Sequence, residues 1–234
     1  MGLPRSVVPL ESNPEVFTQF AHQLGLSTRY AFHDIYSLTE PDLMAFLPRP
    51  MAAIVLLFPL NDLFESLKSS DNGNNAADTL NPIWLKQTVR NACGLYALLH
   101  SIANNQDLLQ IDSKLEQFLK LNHRDGNKYA DDQTDDFIVS ISELYNQSSH
   151  SGQTEAPNSD DEVNLHFITY IESGGHIFEM DGRRSNGARC LGESSSTDLL
   201  EEPLVKKRVQ WYMDNTEEEM KLQFSLLGLA PSWD

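Results

Sequence analysis

In "SNPEVFTQFAHQLGL" (12–26), Val16, Phe17, Phe20 and Leu24 recur at helical spacing and mark one apolar face. Asn13 suits the N-cap, Pro14 the first helical position and Gly25 the C-terminal stop, so a helix is expected here. "RYAFHDIYSL" (29–38) is rich in aromatics and reads as a strand. "TEPDLMAFL" (39–47) reads as a short helix, with Thr39 and Asp42 placed like a capping box. "AAIVLLFPL" (52–60) is an unbroken apolar run of strand length, which is the pattern of a strand buried on both faces. Further on, Leu95, Leu98, Leu99 and Ile102 fall at i, i+3, i+4 and i+7, so a helix runs from about Ala92 with Asn91 as its N-cap. "NLHFITYIESGGHIFEMDGR" (164–183) holds two alternating runs around "SGG", the pattern of a hairpin.

Three polar stretches separate these elements. Residues 66–81 and the strongly acidic 122–136 read as surface loops. Residues 145–164 are longer and show no apolar period. A stretch of that length is either a functional lid or a linker between two domains. The linker reading fails if the flanking segments complete one site.

With 234 residues the chain is long enough for one large domain or two small ones. No apolar run approaches the ~20 residues of a membrane helix. Cys93 and Cys190 are the two cysteines, and no signal-peptide pattern precedes them, so a reducing cytoplasmic location is expected and a disulfide scaffold is not. "MGLPRS" formally fits the myristoylation template of Gly2 with Ser6, but the template is loose and one acyl chain anchors weakly. The net charge of −17 disfavours nucleic acid. It suits a basic partner, or solubility alone.

Chemistry centres on "QTVRNACGLYALLHS" (87–101). Cys93 falls in the first turn of the expected helix, where unpaired N–H groups and the helix dipole favour a thiolate. Gly94 leaves the sulfur approachable. A packed core thiol fits the same position, and placement does not decide between them. A nucleophilic thiol needs a base. His100 is about two turns, roughly 10 Å, along the helix and too far to serve. His22, His33, His123 and His150 lack an orienting partner, and so does His176. His166 and Asp181 are different. With the hairpin turn centred between Ser173 and Gly174 they face each other across the strands, and a shift of one residue makes them diagonal neighbours on one face. An acidic residue beside an imidazole fixes its tautomer and supports its positive charge. A casual polar pair on a hairpin has the same geometry. Gln87, six residues before Cys93, can donate its amide to an oxyanion, or be an ordinary surface glutamine.

Taken together, "PLESNPEVF", "FLPRPMAAIVLLFP", "QTVRNACGLYALLHS", "NLHFITYIESGGHIFEMDGR" and "FSLLGLAPSWD" resemble the ubiquitin C-terminal hydrolases, the papain-like deubiquitinases of peptidase family C12. The tail and "TEPDLMAFLPRP" are most similar to the fungal members. The resemblance implies one α/β (α+β) domain over 1–234, with a mostly antiparallel sheet flanked by helices and a knotted backbone. It implies Cys93 as nucleophile, His166 as general base and acid, Asp181 as orienter and Gln87 as oxyanion donor, with no metal and no cofactor.

Residues 145–164 correspond to the family's crossover loop over the active site. Ubiquitin is the implied partner, with a NEDD8-like modifier as a second, and a monomer is expected. The family's ubiquitin-contacting surfaces correspond to Pro9, Leu10, Glu11, Ser12, Asn13 and Pro14, and to Glu155, Asp160, Asp161, Glu162 and Asn164 of the loop. In the tail they correspond to Leu226, Leu227 and Gly228. Ubiquitin's basic tail also gives the acidic surface a steering role. Two other classes compete with this enzyme: a ubiquitin-binding module without catalysis, and an unrelated cysteine hydrolase with a small-molecule substrate.

Overall fold

The computed structural model describes residues 5–70, 80, 82–125, 128–148 and 164–233. Its helices are α1 (Pro14–Leu24), α2 (Pro41–Met44), α3 (Asp62–Ser70), α4 (Cys93–Ala103), α5 (Lys114–Asn122), α6 (Asp131–Ser148) and α7 (Pro203–Asp214). Its strands are β1 (Tyr30–Asp34), β2 (Ala53–Pro59), β3 (Leu165–Ser173), β4 (His176–Met180), β5 (Arg189–Glu193) and β6 (Ser225–Pro231). The strands form one six-stranded sheet in the order β1-β6-β2-β3-β4-β5, with every neighbouring pair antiparallel.

Strand β2 shows why its sequence is apolar without alternation. Ala53, Val55 and Leu57 pack into the core that holds α1, α4 and α5, while Ile54, Leu56 and Phe58 pack into the core beneath α3 and α7. A strand covered on both faces has no side on which polar residues are favoured. Helix α4 obeys the same rule: residues 94–103 are all buried, so it is a central helix lying on β3 and not an amphipathic one. Its polar members are bonded. Ser101 Oγ donates to the Ala97 carbonyl at 2.8 Å, and the Leu85 N–H donates to His100 Nε2 at 3.0 Å.

The edge strand β1 is shielded by α1. Thr18 Oγ1 accepts the Phe32 N–H at 2.8 Å, and His22 Nε2 bonds the Tyr30 carbonyl at 2.8 Å, so exposed ladder groups are taken by side chains. Helix α1 itself matches its sequence signals. Asn13 Oδ1 accepts from the Glu15 and Val16 N–H groups, and Gly25 closes the helix at φ 118°, a conformation that favours glycine.

Several expectations are corrected. The acidic run in 122–136 is not all loop, because α6 begins at Asp131 and takes Asp131 and Asp132 into its first turn, where the dipole favours acids. The same helix reaches Ser148, so the first four residues of 145–164 are helical. Residues 149–163, and with them Glu155, Asp160, Asp161 and Glu162, lie outside the described residues. Residues 66–70 belong to α3, and 71–79 also lie outside the described residues. Helix α2 has only four residues and no side-chain cap. Ser37, not Thr39, accepts the N–H groups entering it. Asn91 is not the cap of α4 either. Ala92 holds that position, and Asn91 precedes it at φ 59°, a left-handed geometry that asparagine tolerates. Cys190, expected in a loop, is buried in β5.

A charged cluster lies inside the sheet–α7 interface. Glu179, 1% exposed, takes two bonds from Arg208, Nε to Oε2 at 2.6 Å and Nη2 to Oε1 at 3.0 Å, while Arg189 stands off at 3.7 Å. Removing one partner strands a buried charge. Arg208→Met is therefore expected to lower stability by about 3–5 kcal/mol. Adding Glu179→Leu to that variant should recover most of the loss. Urea unfolding of the two variants checks this, and a double variant no more stable than the single one would contradict it.

Candidate active site

The site is assembled from three segments. The first is the start of α4, which carries Cys93 with its side chain partly exposed. The second is the extended stretch before it, residues 83–89, fixed by the Gln87 N–H donating to the Gly182 carbonyl at 2.8 Å. The third is the β3–β4 hairpin, which brings His166 and Asp181. The hairpin turn is centred between Gly174 and Gly175, one residue later than the first register considered. Ser173 pairs with His176 and Thr169 with Met180. Both turn glycines have positive φ, 58° and 78°, as a two-residue hairpin turn of this hand requires. His166 and Asp181 are therefore diagonal and on one side, and His166 Nε2 meets Asp181 Oδ1 at 2.8 Å.

Cys93 lies close enough to the His166 imidazole to favour its charged form. Burial alone would disfavour the imidazolium. The charge of Asp181 and its hydrogen bond, joined by Cys93, outweigh that and raise the His166 pKa to about 10. Asp181 is also deeply buried, which opposes ionisation. The imidazolium of His166 and the Arg183 N–H, 2.9 Å from Oδ1, together hold its pKa below the usual value. The structure thus brings a thiol, an imidazole and a carboxylate together, with the imidazole bonded to the carboxylate.

Gln87 lies alongside. Its Nε2 donates to the Val89 carbonyl at 3.3 Å, leaving a second amide hydrogen for another acceptor. Its Oε1 is buried and has no partner among the described residues, the kind of unsatisfied atom that functional sites retain.

Supporting residues were not evident from the sequence. Gly182 packs tightly on Gln87, since a Cβ there would lie 3.0 Å from Gln87 Cβ and 3.2 Å from its backbone nitrogen. The "DG" after the second strand was the available signal. Trp84 Nε1 donates to the Asp181 carbonyl at 2.9 Å and ties the stretch before Cys93 to the end of β4. Gly94 acts differently from the expectation: it faces the core, where a Cβ would sit 2.8 Å from Leu10 Cβ, so it lets α4 pack closely.

His100 is buried and structural, its pKa lowered to about 4 by burial. His22, His33 and His176 bond backbone carbonyls. Among the described residues no group of three or more His, Cys, Asp or Glu is placed to hold a metal.

The residues expected to contact ubiquitin divide. Pro9, Glu11, Ser12, Asn13, Pro14 and Leu226 are partly exposed, and Asn164 is exposed. Leu10, Leu227 and Gly228 are buried and offer no side-chain surface. The last two lie in β6 between β1 and β2, where a Cβ on Gly228 would meet Met51 Sδ at 2.4 Å.

A partly exposed thiol beside a buried imidazole and carboxylate, on an α+β scaffold, is the residue set that a papain-like cysteine hydrolase needs. A family model described as "Ubiquitin carboxyl-terminal hydrolase, family 1" matches residues 7–214, and the chain belongs to that family. It is 51% identical to "Ubiquitin carboxyl-terminal hydrolase YUH1" of Saccharomyces cerevisiae, across 100% of this chain and 99% of that protein. It is 31% identical to a "Probable ubiquitin carboxyl-terminal hydrolase" of Dictyostelium discoideum, across 95% of this chain and 87% of that protein. The fold matches the Trichinella spiralis UCH37 catalytic domain, solved bound to ubiquitin vinyl methyl ester, with a TM-score of 0.69 at 20% identity. That match covers 99% of this chain and 97% of that one. Among the described residues no helix is long and apolar enough to cross a membrane.

Proposed function

We propose that this chain hydrolyses the bond that follows ubiquitin's C-terminal glycine, in small amide, ester or thioester adducts and precursor extensions. The observation that carries the reading is the His166–Asp181 bond of 2.8 Å, with Cys93 near enough to the same ring to interact with it. The Cys93 thiolate attacks the carbonyl carbon. The Cys93 N–H and the spare Gln87 amide hydrogen stabilise the oxyanion. The His166 imidazolium gives its proton to the departing amine, alcohol or thiol, leaving a thioester on Cys93. Neutral His166 then takes a proton from water, whose oxygen attacks the thioester; the C–S bond breaks, the Cys93 thiolate and His166 imidazolium are restored, and ubiquitin leaves as a carboxylic acid that ionises in solvent. Asp181 keeps the ring in the required tautomer and supports its charge.

The same reading makes the protein a monomeric, cytoplasmic, single-domain enzyme over 1–234 with the family's knotted path. It accepts a NEDD8-like modifier as a second substrate. A binding module without turnover would have no use for a thiol, an imidazole and a carboxylate brought together. Turnover of a ubiquitin C-terminal fluorogenic amide tests the function. Gln87→Ala is expected to lower kcat by about 10²–10³-fold when chemistry limits the rate. Wild-type kcat in that variant would reduce Gln87 to a structural residue.

A further inference from the structure

The charged cluster under α7 extends to the site. Glu179 precedes Asp181 by two residues, so both carboxylates leave the chain on the same side. Arg208 grips Glu179 and also donates from Nη2 to the Tyr212 hydroxyl at 3.3 Å. The Tyr212 ring packs 4.4 Å from that of Phe58, which stands edge-on to the His166 ring at 5.8 Å. Tyr212 and Asp181 line one small cavity of about 20 Å³, together with Glu179, Arg184, Arg189 and Arg208. A polar cavity of about 10–15 Å³ is enough to hold one water. Both the His166 and Arg183 bonds to Asp181 end on Oδ1, and Asp181 also lines the cavity.

We propose that Tyr212 is a positioning residue of this site: fixed by Arg208 and Glu179, its hydroxyl holds one water in the cavity, and that water donates to Asp181 Oδ2. The hydrogen count closes. Arg208 donates to the phenol oxygen, the phenol hydrogen goes to the water oxygen, and a water hydrogen goes to the carboxylate. Burial, with Glu179 adding to it, keeps the Tyr212 phenol protonated far above its ordinary range. With Oδ2 anchored, the carboxylate cannot rotate away from His166. The role rests on reading Asp181 as the group that orients His166.

The test is a double-mutant cycle on the full chain, following turnover of a ubiquitin C-terminal amide and affinity for free ubiquitin. Tyr212→Phe is expected to lower kcat by about tenfold, the scale of one lost hydrogen bond to a charged group. Ubiquitin affinity should stay unchanged. In an Asp181→Asn background the same substitution should have no further effect, because the two residues act through one contact. Wild-type kcat in Tyr212→Phe, or an equal fall in both backgrounds, overturns the proposal. A wild-type kcat in Asp181→Asn alone removes the orienting role of Asp181 and this inference with it, whereas an inactive Asp181→Asn beside an unaffected Tyr212→Phe removes only the inference. Should Tyr212→Phe fail to fold, a crystal structure of the unaltered protein decides. An ordered water within about 3.2 Å of both the Tyr212 oxygen and Asp181 supports the proposal, and its absence there overturns it.

Discussion

Cys93→Ala is expected to abolish turnover of ubiquitin adducts while ubiquitin still binds. The sulfur supplies the electrons for the bond to the carbonyl carbon, and an alanine at the first position of α4 has no atom in its place. The helix should survive, because Cys93 is only partly buried and alanine is the better helix former. The companion variant, Cys190→Ala, should turn over at nearly the wild-type rate, since that thiol lies in β5, packed in the core. Steady-state kinetics with binding by calorimetry separates the outcomes. Residual turnover in Cys93→Ala, or its loss in Cys190→Ala, would move the nucleophile elsewhere.

The second large effect belongs to the His166–Asp181 pair. His166→Ala should remove nearly all activity, and Asp181→Asn should lower kcat by about 10⁴-fold through the wrong tautomer of the ring. The pair also carries a pH signature. His166 is raised from its ordinary 6.5 to about 10, so its contribution to stability is complete below pH 6.5 and is lost as pH rises towards 10. Asp181 is lowered from its ordinary 3.8, so its contribution is present above that pH and is lost as pH falls through the depressed value. Unfolding of the wild type should therefore become easier between pH 6.5 and 10 relative to Asp181→Asn, where the carboxylate that supports the imidazolium is gone. Parallel loss of stability in both proteins over that window would show that Asp181 does not hold the charge.

Much of this was legible because local signals and tertiary context agree. The run at 52–60 reads as a doubly buried strand and is one, and Asn13, Pro14 and Gly25 bracket α1 as their chemistry predicts. The hairpin brought His166 and Asp181 together because strand periodicity keeps them on one side in either register considered, although the actual turn uses both glycines. What failed has a physical reason in each case. The acids from Asp131 onward look like loop by composition, yet they are favourable where a helix begins. Asn91 resembles a cap, but it takes the left-handed turn ahead of α4. Cys190 sits among polar residues in the sequence and is buried because β5 pairs with β4, a contact that no local pattern announces. Trp84, Gly182 and the Arg208–Glu179 cluster support the site through long-range contacts, and such contacts leave little mark on periodicity.

The central claim is that Cys93, activated by His166, attacks the carbonyl at ubiquitin's C-terminus. The most direct test treats the purified protein with ubiquitin carrying a C-terminal vinyl methyl ester and reads intact mass, followed by peptide mapping. One ubiquitin per chain, attached at Cys93 and absent from Cys93→Ala, is the predicted result. Attachment at any other residue, or labelling that persists in Cys93→Ala, would contradict it.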